Sequence, residues 1–227
     1  PGRVSEWGSI RLLPGPWRGA MAVLAPLSAA GALALGWWYS GTESAGALDH
    51  QLDGQLVAHR GSHLGLLWHI SDLGSPPALP LGVLVLAAAA ALTGRRWPAL
   101  LLTVAGPLAA VVLTEFVLKP VVGRTYEGGL SLPSGHTTSI SSMAWVFVLV
   151  FVAGGRHRPW WLRAALVGLA VLAVLGVAGS MVALNRHYTT DTVAGALVAT
   201  AVVGGVALLL DSWLRRRETV RQPAPAR

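Results

Sequence analysis

Long apolar runs limit what this chain can fold into. The hydrocarbon core of a membrane is about 30 Å thick and needs about 20 apolar residues of helix to cross it. The chain of 227 residues is 53% hydrophobic and only 12% charged, and it offers six such runs, at residues 19–40, 68–93, 97–118, 134–153, 162–184 and 191–210. The sequence therefore predicts an all-α, polytopic membrane bundle of six transmembrane helices.

The first two runs are the least regular. Residues 19–40 are too long for the apolar core of a signal peptide and end in Trp-Trp-Tyr, which is typical of an interfacial aromatic belt, so we expect this span to be retained. Residues 68–93 contain three prolines between positions 76 and 80, so we expect a proline break there. Between these runs, Leu48, Leu52 and Leu56 recur every four residues among polar residues, which predicts a helix lying in the membrane interface.

Charge distribution predicts which way the chain crosses the membrane. With six spans both termini share a side, and only Arg60, Lys119, Arg124 and Arg186 of the seventeen Lys and Arg residues fall on the other side. The positive-inside rule then places both termini in the cytoplasm and the opposite loops on the outer face of a cell membrane. The net charge of +7 reflects this topology, so we expect the bilayer as partner and no nucleic acid. The predicted division is a cytoplasmic segment at 1–18, a membrane domain at 19–214 and a disordered basic tail at 215–227.

Polar residues are concentrated between positions 119 and 191. The single lysine, Lys119, ends the third span, and the sequence PSGH, which includes Ser134, Gly135 and His136, opens the fourth. The segment NRHYTTD, which contains Arg186, His187 and Asp191, joins the fifth span to the sixth. All three groups are therefore expected at one membrane surface, and polar residues that an apolar chain retains usually have a function. Two histidines, a carboxylate, cations and a helix N-terminus suit a phosphate ester.

Each part of this set has two interpretations when taken alone. Backbone N–H groups at a helix start carry partial positive charge, and Gly135 allows a ligand to approach them, so PSGH could hold a phosphate; alternatively, Ser134 is an ordinary N-cap. Lys119 could bind the same phosphate or simply extend to the membrane interface. His187 and Asp191 are four residues apart, so Asp191 could orient the imidazole for attack on phosphorus; alternatively, Asp191 caps the last helix.

The order of Lys119, PSGH and His-x3-Asp on a six-span scaffold resembles the type 2 phosphatidic acid phosphatase superfamily of membrane lipid phosphatases. The resemblance implies that His187 is a nucleophile that forms a phosphohistidine, that Asp191 is its partner, and that His136 protonates the leaving group. It also implies that Lys119, Ser134 and the Gly135 backbone bind the phosphoryl oxygens. No metal and no other cofactor is expected, because the protein supplies the charges.

The chain departs from the family pattern K-x6-R-P, PSGH and S-R-x5-H-x3-D at two arginines. Tyr126 and Glu127 stand where the first motif has Arg-Pro, and Met181 replaces the arginine of the third. Arg124 and Arg186 lie nearby and are predicted to bind phosphate instead. Arg124 is the stronger prediction, since Arg186 on a continuing helix would point away from the face of position 181.

Three functions are compatible with this pattern. The first is a lipid phosphatase acting at the outer leaflet on a polyprenyl phosphate or diphosphate, phosphatidic acid or phosphatidylglycerol phosphate. The second is a catalytically weak protein that binds or transports lipid phosphates, and the third is a phosphoryl transferase that uses the same histidine. The composition, rich in Arg, Ala, Gly and Val with a single lysine, suggests a bacterial source.

Overall fold

The computed structural model describes residues 12–92, 97–154 and 158–221. The segment 1–11 and several arginines that contribute to the topology prediction lie outside the described residues, namely Arg3, Arg11, Arg95, Arg96, Arg156 and Arg227. In the described part, helices succeed one another with one short β-hairpin. They are α1 Gly15–Trp38, α2 Ala47–His59, α3 Leu64–Asp72, α4 Ala78–Leu92, α5 Trp97–Leu113, α6 Lys119–Val122, α7 Gly135–Phe147, α8 Trp160–Ala183 and α9 Thr189–Arg221, with β1 Thr125–Tyr126 paired to β2 Gly129–Leu130.

The predicted helical membrane bundle is confirmed. Within the described residues, five helical stretches are long and apolar enough to cross a membrane, at Gly15–Trp38, Trp97–Val122, Gly135–Ala153, Trp160–Ala183 and Thr189–Arg217. The predicted span at 68–93 is divided into α3 and α4, and the break falls at the prolines that were expected to cause it. At 1.5 Å per residue, α4 is only about 22 Å long, which is less than a hydrocarbon core. The count of six spans stays a prediction.

Helix α9 is the centre of the bundle and packs against α1, α5, α7 and α8. Its inward side carries buried alanines and valines, most of them four residues apart, and side chains of this size let neighbouring backbones approach closely. These buried residues are Ala194, Val198, Ala199, Val203 and Ala207.

The beginning of α1 is attached to the far part of α9. The buried carboxylate of Asp211 accepts hydrogen bonds from the backbone N–H groups of Leu12 and Leu13, each at 3.2 Å, and from the Nε of Arg18 at 3.2 Å. Asp191, near the start of α9, lies about 30 Å away along the same helix. The two described ends of the chain therefore meet at one end of the bundle, and the Asp191 region lies at the other.

Helix α9 extends further than the sequence analysis predicted. It continues to Arg221, whereas residues 215–227 were expected to be disordered; residues 222–227 lie outside the described part. The Nε of Arg215 donates to Asp211 at 2.7 Å, and the guanidinium of Arg217 stacks on the Trp213 ring at 3.8 Å. Both contacts join residues four positions apart, about one helical turn, and support the extension.

The helix predicted around Leu48, Leu52 and Leu56 is present as α2, and its polar side faces the bundle; its place in the membrane interface stays a prediction. Leu48 and Leu56 are exposed, while Asp49 is fully buried. A buried carboxylate is stable only with partners, and Asp49 finds them in Arg124 and Thr190, which lie far along the chain.

Two further segments are wound as π-helices, Thr114–Leu118 and Val148–Ala153. The first leads directly into Lys119 and contains Glu115. Short π-helical segments change which side chains face inward, and they occur frequently at functional sites.

Candidate active site

A cavity of about 680 Å³ opens at the Asp191 end of the bundle. Its wall includes five of the predicted site residues, Lys119, Gly135, His136, Arg186 and His187. They come from the end of the α5–α6 stretch, the start of α7 and the loop between α8 and α9. The structure therefore brings together residues that are up to 68 positions apart in the sequence, as the sequence analysis expected.

The PSGH segment forms the start of α7. Ser134 is the N-cap, and its buried Oγ accepts from the backbone N–H of Thr137 at 3.4 Å. The backbone N–H of Ser134 donates to the carbonyl of Asp191 at 2.9 Å, which ties α7 to α9. The side chain of Ser134 does not line the cavity, and its hydroxyl caps the helix, as the second interpretation of PSGH expected. A phosphate-binding role for Ser134 stays a prediction.

Gly135 lies where a side chain would not fit. A Cβ added there would collide with Oε1 of Glu115 and lie 3.7 Å from Nζ of Lys119. Lys119 itself donates to Oε2 of Glu115 at 2.9 Å. A carboxylate therefore lies between the lysine and the N-terminus of α7, the place where an anion is electrostatically favoured.

His187 and Asp191 form the predicted pair. Nδ1 of His187 lies 3.4 Å from Oδ2 of Asp191, and the same oxygen accepts from the backbone N–H of Tyr188 at 3.1 Å. Asp191 is fully buried behind His187, which lines the cavity. With Nδ1 directed at the carboxylate, the other ring nitrogen is left for a substrate. Asp191 is not the N-cap of the last helix, because α9 begins at Thr189.

Arg186 lines the cavity beside Met181, so the expectation that it points away from position 181 is wrong. That expectation assumed a continuing helix, but α8 ends at Ala183 and Asn185 adopts a left-handed φ of 54°. The backbone N–H of Arg186 then bonds back to the carbonyl of Met181 at 2.9 Å. The guanidinium lies 5.5 Å from the centre of the Trp68 ring. Arg186 therefore lies on the same cavity wall as Met181, the position where the family pattern has an arginine.

Arg124 is the opposite case, because its side chain is wholly buried and does not line the cavity. Nη1 donates to Oδ1 of Asp191 and to Oγ1 of Thr190, each at 2.7 Å. Nη2 donates to Oδ2 of Asp49 at 2.8 Å and to the carbonyl of Ser44 at 3.1 Å. The structure therefore does not support the predicted phosphate-binding role of Arg124, since its terminal nitrogens are directed at protein oxygens behind the site.

The environment of Asp49 shows how strongly this arrangement favours charge. Burial alone raises the pKa of a carboxyl group, but hydrogen bonds from Arg124, Gly46 and Thr190 outweigh it and hold the pKa of Asp49 below its usual value. The sequence analysis did not single out Asp49. Its only signal was a carboxylate inside an amphipathic pattern.

Tyr126, which stands where the family has arginine, also lines the cavity. Its ring packs edge to face against Tyr188, with centroids 4.7 Å apart. Burial and then the nearby Glu127 raise the pKa of Tyr126, so its phenol keeps its proton at neutral pH. A phenol in this position could donate a hydrogen bond to a bound anion, though it brings no charge.

Comparison with known proteins agrees with this arrangement. The model of the PAP2 superfamily matches residues 114–215, which include the described residues of the cavity wall from Glu115 onward. The crystal structure of a transmembrane PAP2-type phosphatidylglycerolphosphate phosphatase from Bacillus subtilis has the same fold, with a TM-score of 0.59 and 18% identity over 89% of this chain and 97% of that one. No curated protein matches the chain significantly.

Proposed function

We propose that the chain is an integral membrane lipid phosphatase of the PAP2 superfamily that acts through a phosphohistidine. The match of that family's model to residues 114–215 and the residues of the cavity support this proposal. The observation that carries this proposal is the convergence of His187, backed by Asp191, with Lys119 and the N-terminus of α7 on one cavity. These groups provide a nucleophile and a positively charged site for the phosphate that it would attack.

In the first step, the free ring nitrogen of His187 attacks phosphorus while the bond to the leaving oxygen breaks. His136, on the same cavity wall, donates a proton to that oxygen. In the second step, a water molecule attacks the phosphohistidine, His136 takes a proton from it, and inorganic phosphate leaves. Asp191 holds the Nδ1 proton of His187 in both steps, so the ring keeps the tautomer that the attack needs.

The charge that develops on the phosphoryl oxygens would be stabilised by the protein alone. Lys119 and Arg186 supply two cations on the cavity wall, and the backbone N–H groups of the first turn of α7 supply a third positive region. We therefore propose hydrolysis without a metal ion. Glu115 would have to release Lys119 when a phosphate enters, since its carboxylate holds the same lysine.

A lipid substrate fits the apolar side of the cavity. Leu79, Val111, Phe116 and Leu130 contribute to its wall, and Phe116 and Leu130 are exposed at the bundle surface. The phosphate of a lipid would lie at headgroup depth with its chains beside these residues. Polyprenyl phosphate or diphosphate, phosphatidic acid and phosphatidylglycerol phosphate all meet this requirement. The bias of basic residues to the Asp211 end favours an outer-leaflet substrate.

The test is phosphate release by purified protein from each of these lipids, in detergent with a chelator present. The matched control is His187→Ala. We expect release from at least one lipid by the wild type and none above background by the control. Binding without release would favour the catalytically weak alternative, and product formed only with an added alcohol acceptor would favour the transferase. Activity abolished by chelator would contradict metal-free hydrolysis.

A further inference from the structure

We propose that Arg124 is a positioning residue: it fixes Asp191, and through it His187, against the interfacial helix α2 instead of binding the substrate phosphate. This inference rests on the proposed function, in which His187 is the nucleophile. The residues concerned are Asp49, Arg124, Asp191 and His187, which we call the buried relay.

The relay joins three distant segments through charged side chains. Arg124 donates to Asp49 at 2.8 Å and to Asp191 at 2.7 Å, and all three of these side chains are fully buried. Asp191 uses one oxygen for Arg124 and the other for His187. One guanidinium therefore holds two carboxylates, and the second carboxylate is the one that orients the nucleophile. The planar guanidinium presents its N–H donors in a rigid fork, so it holds the two carboxylates in a fixed geometry, whereas the donors of an ammonium rotate on a flexible stem.

Helix α2 is attached to the start of α9 by more than this bridge. Asp49 accepts from the backbone N–H of Thr190 at 2.9 Å, and Asp53 accepts from the backbone N–H of Thr189 at 3.1 Å and its hydroxyl at 2.6 Å. Carboxylates that accept from the first N–H groups of a helix act as caps and complement its dipole. Since His187 comes just before this first turn, its attachment to α2 helps to fix the position of the nucleophile.

The chain around Arg124 directs its side chain inward. Gly123 adopts a left-handed φ of 66° after α6, and the guanidinium lies between two aromatic rings, 4.0 Å from the centre of Tyr39 and 4.2 Å from that of Tyr188. These cation–π contacts add to the hydrogen bonds that direct the guanidinium at Asp49 and Asp191. The rings and the carboxylates together hold Arg124 in place.

Positioning and phosphate binding predict opposite kinetic effects. Loss of a phosphate ligand weakens binding of substrate and of phosphate analogues. Loss of a positioning residue leaves the phosphate site intact but lets Asp191 leave His187, so turnover falls while binding persists. Arg186, a cavity-lining cation, provides the matched comparison.

The experiment compares Arg124→Met and Arg186→Ala on a lipid phosphate that the wild type hydrolyses. We expect Arg124→Met to lower kcat about 100-fold with KM and the inhibition constant of orthovanadate nearly unchanged. We expect Arg186→Ala to raise KM and the orthovanadate constant about tenfold or more, as for a lost charge-assisted hydrogen bond. A kcat near that of the wild type for Arg124→Met, or a rise in its orthovanadate constant that matches Arg186→Ala, would overturn the proposal.

One further variant keeps the test informative if Arg124→Met does not fold, and a double variant measures the coupling if it does. Asp49→Asn leaves Arg124 and Asp191 paired but weakens the attachment to α2, and we expect kcat to fall about tenfold at constant KM. The double variant Arg124→Met with Asp49→Asn removes the repulsion between two buried carboxylates, so it should be more stable to heat than Arg124→Met alone. Unchanged kcat in Asp49→Asn, or strictly additive losses of thermal stability, would contradict the relay.

Failure of the proposed function looks different from failure of the relay. A wild type that releases no phosphate from any lipid refutes the phosphatase proposal. In that case the stability of the double variant still decides whether Arg124 couples α2 to Asp191, because that measurement needs no turnover.

Discussion

Gly195 lies where α9 packs closely against the start of α7, and Gly195→Ala therefore perturbs the site with a single methyl group. A Cβ at this position would lie 2.5 Å from the carbonyl oxygen of Ser134, and 3.1 Å and 3.2 Å from Oγ1 and N of Thr138. Ordinary contacts of a Cβ begin at 3.4 Å. The two backbones would have to separate by about 0.9 Å to accept it.

This separation acts on the link between the two halves of the site. The backbone N–H of Ser134 donates to the carbonyl of Asp191, one turn before Gly195 on α9. If α7 moves away from α9, the N-terminus of α7, which lies beside Lys119, moves away from His187. A displacement of about 1 Å in a catalytic constellation costs about 100-fold in rate. Overpacking costs about 1–3 kcal/mol of stability, and the better helix propensity of alanine recovers at most about 1 kcal/mol.

Phosphate release and thermal unfolding of purified Gly195→Ala measure both effects. The matched control is Gly205→Ala on the same helix, where a Cβ meets nothing within 4 Å. We expect the control to keep wild-type turnover and to be at least as stable as the wild type. We expect Gly195→Ala to unfold at a lower temperature and to lose about 100-fold in kcat. Wild-type kcat in Gly195→Ala would show that the site tolerates a shift between α7 and α9, against this prediction.

Three other outcomes follow from the structure. His136→Asn should lower the turnover of a lipid phosphate about 100-fold or more, but it should affect a nitrophenyl phosphate much less, because a good leaving group needs no proton. Equal losses on both substrates would contradict the role of His136 as the proton donor. Asp211→Asn should lower the unfolding temperature, because it weakens the hydrogen bonds between the start of α1 and α9. KM should stay at the wild-type value, and a changed KM would contradict a purely structural role of Asp211. Because the pKa of Asp49 is lowered in the folded protein, its contribution to stability is present above the unfolded pKa of 3.8 and is lost as the pH falls through the folded pKa. The difference in unfolding temperature between the wild type and Asp49→Asn should therefore shrink below about pH 4. A constant difference from pH 7 to pH 3 would contradict this prediction.

The bundle and the core of the site could be predicted from local signals in the sequence. Apolar runs of membrane length predicted the helices, and prolines, which disrupt a helix, predicted the break between α3 and α4. PSGH reported a helix start, and the four-residue spacing of His187 and Asp191 placed them together near the start of α9. These features depend on interactions within a few residues of each other.

The direction of the two arginines could not be predicted, because it depends on contacts between distant segments and on where one helix ends. Arg186 faces the cavity only because Asn185 takes a left-handed conformation, and the preceding apolar residues would have continued α8 equally well. Arg124 turns away from the cavity because Asp49 and Asp191 offer it buried carboxylates. Nothing in the sequence around position 124 indicates that Asp49, 75 residues earlier, is its partner.

If His187 is the nucleophile, it becomes phosphorylated during turnover, and this phosphohistidine can be trapped. Purified protein is mixed with a lipid carrying radiolabelled phosphate, quenched within the first turnover, and analysed for phosphate bound to protein. We expect the wild type to carry label that is stable in alkali and lost in acid, as a phosphohistidine is, and His187→Ala to carry none. Label that persists in His187→Ala, or phosphate release by that variant at the wild-type rate, would contradict a nucleophilic role of His187.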